Sequence, residues 1–568
     1  MMQQSPPLYL PQAPRTSCRS RHPLRAGAPG SPAEPVPRVP WLRPPTLPPV
    51  SLFRSASTVS LLTLASRVTG LVRDVLMTSV FGVSAMTDAF YVAFRIPNLF
   101  RRVFGEGAFS QAFVPVLAAT KTERGEGGAR QLVDYVATLL TWTLVVLCVA
   151  GVIGAPVMVW AMASGLKPEG FDAAVVMTRW MFPYIGFMSL VALAGGVLNT
   201  WRKFAVPAAS PVLLNLALIF SIVVGAPWFR RHGIEPIYAQ CIGVMVGGIL
   251  QLALQIPAMR EIGMLPRIGL GAASIRAAWA DPTTRKIIRL MLPALLGVSV
   301  AQVSLLINTQ IASHLATGSV TWITNADRLM EFPTALLGVA LGVVLMPQLA
   351  SARAARDDAR YSSMLDWGLR LVVLLSVPCA LALLVFSQPL VAVLFHNGAF
   401  SESDVRRTTA ALMGYGVGLV GLVAIKVLAP GYYAKHDMRT PMLIAVGVLL
   451  LTQALNLLLV PFLQHAALTL TIGIGAMVNA AWLLVGLIRR GSYVPEPGWG
   501  RFLLQVAIGT LVLAGLLVWG ARHFDWIALR DARLHRIGLL AALVAGAALL
   551  YFSVLALVGV KLRSFVRR

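Results

Sequence analysis

The stretch Thr58–Val80 reads TVSLLTLASRVTGLVRDVLMTSV. About 20 mostly apolar residues make one membrane-crossing helix, and this stretch has the length and the apolar content. It nevertheless carries Arg67, Arg73 and Asp74. The pattern returns twice: Arg95, Arg101 and Arg102 fall within the apolar stretch 86–119, and Arg328 falls within 320–350. A charged side chain at the bilayer centre costs at least roughly 2.5–3.5 kcal/mol, so such residues face a protein interior or a watery cavity. Several arginines in neighbouring segments, with few acids to neutralise them, predict a cavity built for an anion inside a membrane protein.

Composition points the same way. Of 568 residues, 57% are hydrophobic and 12% charged, with mean hydropathy +0.74; a soluble domain carries about 25% charged residues. The net charge of +25 resembles that of a nucleic-acid binder. The basic residues, however, lie mostly in short loops between apolar segments, which is the positive-inside pattern of a membrane protein. No nucleic-acid partner is expected. Cys18, Cys148, Cys241 and Cys379 lack the close spacing of a metal site or a disulfide framework.

The first 49 residues hold 14 of the 36 prolines, and six arginines against one acid, Glu34. Such a composition favours disorder and lacks the apolar run of a signal peptide. It reads either as a basic targeting tail or as a start codon assigned too far upstream. The abrupt change near Val50 favours the second, and removal of 1–49 should then leave function intact.

From there on the chain reads as an all-α polytopic membrane protein of about fourteen transmembrane helices, in two six-helix lobes plus two C-terminal helices. The stretches are 56–80, 86–119, 132–163, 173–199, 206–227, 236–258, 286–313, 320–350, 362–388, 405–430, 440–462, 466–488, 499–521 and 536–560. Pro97 and Pro115 are candidate kinks in the second, which is too long for one straight span. The domains expected are an extension 1–49, a lobe 50–260, a cytoplasmic connector 261–285, a lobe 286–490, and two further helices with a basic tail, 491–568. The lobes read as a parallel repeat: Pro115 corresponds to Pro347, Tyr184 to Tyr415 and Val197 to Val427, at offsets of 230–232 residues. Transporters of that kind bind substrate between the halves and rock around it. A cytoplasmic N-terminus gives the inside loops Lys121, Arg124, Arg202, Lys203, Arg353, Lys435 and Arg489. The outside receives mainly Lys167, Arg230, Arg231 and the 522–536 connection. Both termini are therefore expected in the cytoplasm.

Helical spacing sorts the buried charges. Arg67 and Asp74 share a face with Gly70 between them, and Arg73 points about a third of a turn away. Either arginine can neutralise Asp74, and one positive charge is left over. Arg102 can pair with Glu106 at i,i+4. Arg95 reaches either the outer aqueous layer or Asp88. Arg101 has Pro97 and Gly105 at its own i±4 positions, which makes it the first choice for a ligand-facing cation. Asp327, Arg328 and Glu331 form a local cluster that serves either as a structural network or in binding. Arginine suits phosphate through its planar, bidentate fork. No phosphate loop and no zinc motif occurs. The Asp357-Asp358 pair lies in a basic loop and reads as solvated. No catalytic residue and no metal site is expected.

The run Ser66–Asp74, Thr87-Asp88-Ala89-Phe90, Pro97–Arg102, Gly107–Pro115, Ala326–Pro333 and Lys426–Gly431 resembles the lipid II flippase family MurJ (MviN), of the multidrug/oligosaccharidyl-lipid/polysaccharide exporter superfamily. The likeness runs from about Val50 to the end. It implies two six-helix lobes around a cationic cavity, and two extra helices forming a groove for a lipid tail. The substrate implied is lipid II, an undecaprenyl-diphosphate-linked disaccharide-pentapeptide, moved from the inner to the outer leaflet of the bacterial inner membrane by alternating access. It implies substrate-binding arginines at Arg67, Arg73, Arg101 and Arg328. Supporting or gating positions are Asp74, Asp88, Arg102, Asp327 and Glu331. No cofactor is implied; membrane potential is the expected drive, with the coupling ion open. Partners expected are membrane lipids and cell-wall synthesis or division proteins, around a monomer. Some relatives bind sodium through a carboxylate on the seventh helix, where this chain has Asn308. The alternatives are an ion-coupled multidrug or polyprenyl-linked oligosaccharide exporter of the same superfamily, and a membrane glycosyl- or phosphotransferase.

Overall fold

Long helices account for nearly all of the described residues. The computed structural model describes residues 49–101, 108–561 and 565, with residues 49–57, 100, 101, 108, 292–301 and 336–344 described at the level of the backbone. No strand occurs among the described residues. Phe53–Arg568 form one compact unit, while the other unit, Met1–Leu52, lies almost wholly outside the described residues.

The first half begins with α1 (Pro49–Phe81), α2 (Ala85–Arg101), α3 (Ala108–Ile153) and α4 (Ala155–Ala163). It continues with α5 (Pro168–Met181), α6 (Tyr184–Thr200), α7 (Ala205–Phe220), α8 (Ala226–Arg231) and α9 (Tyr238–Glu261), with a π-helical turn, Ser221–Gly225, between α7 and α8. A short α10 (Ala272–Ala280) leads to α11 (Pro282–Ser313), α12 (Ser319–Ala354), α13 (Asp358–Val385) and α14 (Ser387–Phe395). Then come α15 (Glu402–Tyr433), α16 (Arg439–Leu463), α17 (His465–Arg489), α18 (Trp499–His523) and α19 (Arg533–Leu557).

Among the described residues, ten helical spans are long and apolar enough to cross a membrane. The other expected stretches lie on α1, α2, α11 and α12. Of these, α1, α2 and α12 carry Arg67, Arg73, Arg95 and Arg328, which lower their hydropathy. The outer faces of the ten spans are unlike a soluble surface: Leu457 is 83% exposed, Phe462 79% and Leu549 71%. Apolar area on that scale is stable only against lipid.

Local chemistry fixes the helix starts. Ser401 and Asp404 form a capping box on α15, the Ser401 hydroxyl accepting from the Asp404 N–H at 3.3 Å and Asp404 Oδ2 accepting from the Ser401 N–H at 2.9 Å. Asp281 caps α11, with Pro282 behind it in the first turn. Asp357 accepts from the Arg360 N–H at 2.9 Å to cap α13, while Asp358 lies 3.8 Å from Arg353. Both acids of this loop are exposed, as a solvated pair would be, and Asp357 adds a helix cap. Helix runs through both Pro97 and Pro115. The interruption in α3 comes instead at Gly125, whose φ of 67° and ψ of −168° leave the helical region.

Small residues set the closest helix crossing. A Cβ on Gly418 of α15 would lie 2.1 Å from Gly473 Cα of α17, so these backbones touch as membrane helices do at small-residue contacts. Buried apolar residues gather in separate cores, one from Ala326 to Val560, another mainly from Met77 to Ile323, and a third from Phe109 to Ile287. The last takes in Ile287 of α11, so α11 packs on α3 rather than only on its sequence neighbours.

Candidate functional site

Between these cores lies a cavity of about 890 Å³. Along α1 its lining runs from Thr63 to Met77, about 21 Å of helix rise. Helices α1, α2, α3, α6, α7 and α9 supply one side, α11 and α12 the other.

The charged wall centres on one acid. Asp74, 4% exposed, is held from both halves of the chain. Arg73 donates to Asp74 Oδ1 through Nε at 2.9 Å and Nη2 at 2.6 Å, and through Nη1 to Asn215 Oδ1 at 3.0 Å. Arg328 of α12 places Nε 2.9 Å from Asp74 Oδ2, an ion pair without hydrogen-bond alignment, and its Nη1 donates to Glu331 Oε2 at 3.1 Å. Asn215 of α7 completes the bracket, donating through Nδ2 to the Ser66 carbonyl at 2.9 Å. The amide packs over Gly70, where a Cβ would be in ordinary contact at 3.4 Å.

Of the expected binding residues, Arg67, Arg73 and Arg328 line this one cavity, with Asp74, Asp327 and Glu331. Arg67 has no ion pair among the described residues and is exposed to the cavity. Seven residues separate it from Asp74, about 10 Å along the axis, so sharing a face does not bring contact. Arg73, on the adjacent position, curls over Asp74 instead. The Arg101 side chain, Arg102 and Glu106 lie outside the described residues, and so does the pairing expected of them.

Arg95 goes beyond the sequence reading. It stays within electrostatic range of Asp88, but its hydrogen bonds go elsewhere. It crosses to the other side of the cavity, Nη1 donating to Thr309 Oγ1 at 2.8 Å and Nη2 to Thr324 Oγ1 at 2.9 Å. Asp327 lies within electrostatic range of Arg95 and Tyr415.

Asp88 has a different partner, the start of α12. Its Oδ2 accepts from the Gly318 N–H at 2.6 Å, and its Oδ1 from the Thr321 N–H at 2.9 Å and hydroxyl at 2.6 Å. A carboxylate from α2 thus caps α12, where free N–H groups and the helix dipole favour negative charge. Further contacts join the halves at this end; among them, the Gly165 N–H donates to Ser313 Oγ at 3.1 Å, and the Ala399 N–H to the Ser79 carbonyl at 2.8 Å. In the 522–536 connection, Arg536 belongs to the first turn of α19 and is buried at 1% exposure, with Nη2 3.2 Å from the His396 carbonyl.

Asn308 of α11 sits in a network of amides and a hydroxyl. Asn456 Nδ2 donates to Asn308 Oδ1 and to Gln453 Oε1, each at 3.1 Å, and Thr471 Oγ1 donates to Asn456 Oδ1 at 2.5 Å. Each of these amide oxygens accepts from an amide or hydroxyl donor. No carboxylate belongs to the cluster.

Sequence reasoning missed Asn215, Gln251 and Gln255 in the lining. The signal was present: amides inside apolar stretches, and an i,i+4 pair of glutamines on one helix.

Known proteins share this sequence and architecture. The family model described as Lipid II flippase MurJ matches residues 77–529. A Burkholderia cenocepacia protein named lipid II flippase MurJ is 52% identical over 521 residues, covering 91% of this chain and 100% of the relative. A probable lipid II flippase MurJ of Vibrio cholerae is 35% identical over 526 residues, covering 90% and 97%. Among solved structures, a lipid II flippase MurJ in an inward closed conformation superposes with TM-score 0.74 at 21% identity, over 90% of this chain and 99% of that one. A multidrug resistance MATE family transporter in an inward-facing conformation gives 0.60 at 15% identity, over 76% and 98%.

Proposed function

The chain belongs to the lipid II flippase family MurJ, and on that premise we propose how its cavity moves lipid II across the bacterial inner membrane. One observation carries the reading: Arg67, Arg73 and Arg328, from both halves of the chain, face one cavity in which Asp74 is shared by two of them. A diphosphate cannot cross hydrocarbon unaided, and guanidinium groups replace its hydration with bidentate, charge-assisted hydrogen bonds. Arg101 is assigned to the same role.

Asp74 is the resting counter-ion. An entering diphosphate takes over Arg328 and Arg67, and the cavity then opens to the other side. The contacts of Asp88, Gly165 and Ala399 hold the Phe81 end of α1 closed. With both termini in the cytoplasm, as the loop charges favour, that end is periplasmic and release follows when Asp88 leaves α12. The two half-lobes act as rocking units, 50–260 and 286–490, with α18 and α19 beside the second. Membrane potential is the proposed drive.

An ion-coupled drug exporter is disfavoured by the lining, where four arginines face three acids among the described residues; a cationic substrate calls for the reverse. The test is depletion of the protein followed by a leaflet-specific assay of lipid II. Lipid II should accumulate in the inner leaflet, and undiminished arrival in the outer leaflet would overturn the reading.

A further inference from the structure

The cavity wall is divided by charge. Its arginines and acids sit on α1, α2 and α12, whereas the wall built by α6, α7 and α9 has no charged residue among its described lining. That second wall carries amides. Gln251 and Gln255, one turn apart on α9, are each 1% exposed and line the cavity. Gln255 Oε1 and Nε2 and Gln251 Oε1 have no hydrogen-bond partner.

Two other amides of the same wall are hydrogen-bonded. Gln240 Nε2 donates to Ser221 Oγ at 2.7 Å, and Asn215 bonds Ser66, Thr69 and Arg73. Two buried amides left open beside a cavity are costly, because a buried polar atom without a partner forfeits its hydration. Gln255 faces Gly195 of α6, where a Cβ would lie 3.9 Å from Gln255 Oε1. A glutamine amide both donates and accepts, so it matches hydroxyl and amide groups and has no preference for charge.

We propose that Gln251 and Gln255 form a neutral subsite for the hydroxyl and amide groups of the saccharide-peptide headgroup, opposite the arginines that take the diphosphate. This rests on the function proposed above. The two walls divide the ligand by its chemistry, charge to α1 and α12, neutral polar groups to α9. The subsite accounts for recognition of the headgroup beyond its phosphates.

The experiment compares full-length protein in nanodiscs, wild type and the Gln251→Leu/Gln255→Leu double variant. The probes are lipid II, undecaprenyl diphosphate, and the undecaprenyl-diphosphate disaccharide lacking the peptide. Wild type should prefer lipid II to undecaprenyl diphosphate. The double variant should lose that preference by about tenfold to a hundredfold, two neutral hydrogen bonds being lost, and should bind undecaprenyl diphosphate as before. Loss already seen with the peptide-free disaccharide assigns the subsite to the sugars; loss seen only with lipid II assigns it to the peptide. A folded double variant that keeps the wild-type preference overturns the subsite and leaves the parent function standing. Wild-type protein that binds no lipid II overturns both. Should the double variant fail to fold, Gln251→Leu and Gln255→Leu are compared singly on the same probes, and unchanged preference in both overturns the subsite.

Discussion

Arg328 and Asp74, one from the twelfth helix and one from the first, meet at 2.9 Å across the cavity. Arg73 holds the other oxygen of that carboxylate at 2.6 Å. One acid therefore ties two cations from opposite sides, and any anion that enters competes with it for both.

Replacing Asp74 with Asn keeps the shape and removes the competitor. The Asp74→Asn protein should melt at lower temperature, since leaving buried charged groups without their partner costs roughly 1–3 kcal/mol. It should also bind undecaprenyl diphosphate more tightly. Thermal unfolding in detergent and lipid binding measure the two effects, and an unchanged melting temperature would count against the shared-acid arrangement.

Arg67 and Arg73 should separate binding from stability. Arg67 has no ion pair among the described residues, so Arg67→Ala should lower lipid II affinity by about tenfold to a hundredfold, the worth of a charge-assisted hydrogen bond, and leave the melting temperature alone. Arg73→Ala should reduce both, because it also abandons Asp74 and Asn215. Equal melting losses in the two variants would contradict this division.

Asp88 should control one end of the cavity. Asn at this position cannot accept from Gly318 and Thr321 through two charged oxygens as Asp88 does. Loss of a helix cap costs about 0.5–2 kcal/mol, enough to shift an open–closed equilibrium by about two- to thirtyfold. A cysteine introduced at Met77, inside the cavity, should react faster with a membrane-impermeant thiol reagent added from the periplasm in the Asp88→Asn background. Equal rates would remove Asp88 from the gate.

Gly398 permits the contact between Ala399 and Ser79. Its φ is +56°, and a Cβ would fall 2.1 Å from the Ser79 carbonyl. Gly398→Ala should therefore weaken closure of the same end, with faster thiol labelling at Met77. Labelling at the wild-type rate would show that the loop is not part of the closed state.

Asp437 supplies a pH test outside the membrane. Hydrogen bonds from Thr440 and Arg490 hold its carboxyl down at about 2, from an ordinary 3.8. The folded value lies below the unfolded one, so the contribution is complete above about pH 4 and is lost as pH falls through about 2. Melting temperature measured from pH 5 to pH 2 should fall less steeply in Asp437→Asn than in wild type. Parallel curves would refute the assignment.

Much of the architecture was legible along the chain. Hydropathy over windows of about 20 residues is local, and each expected stretch falls at least in part on described helix. The Arg328–Glu331 pair was also legible, because i,i+3 spacing on one helix is a local relation. The glutamines differ: their i,i+4 spacing is visible in the sequence, but that they lack partners beside a cavity is a tertiary fact.

By itself the sequence determined that this is a membrane protein with arginines gathered in three apolar stretches and too few acids beside them. Only the tertiary structure decided how they are shared. It gives Asp74 to Arg73 and Arg328 rather than to Arg67, sends Arg95 across to Thr309 and Thr324, and seats Asp88 on the start of α12. The reason is physical. Helical periodicity fixes the direction in which a side chain leaves its own helix, but a guanidinium finds its partner through packing between helices far apart in the chain.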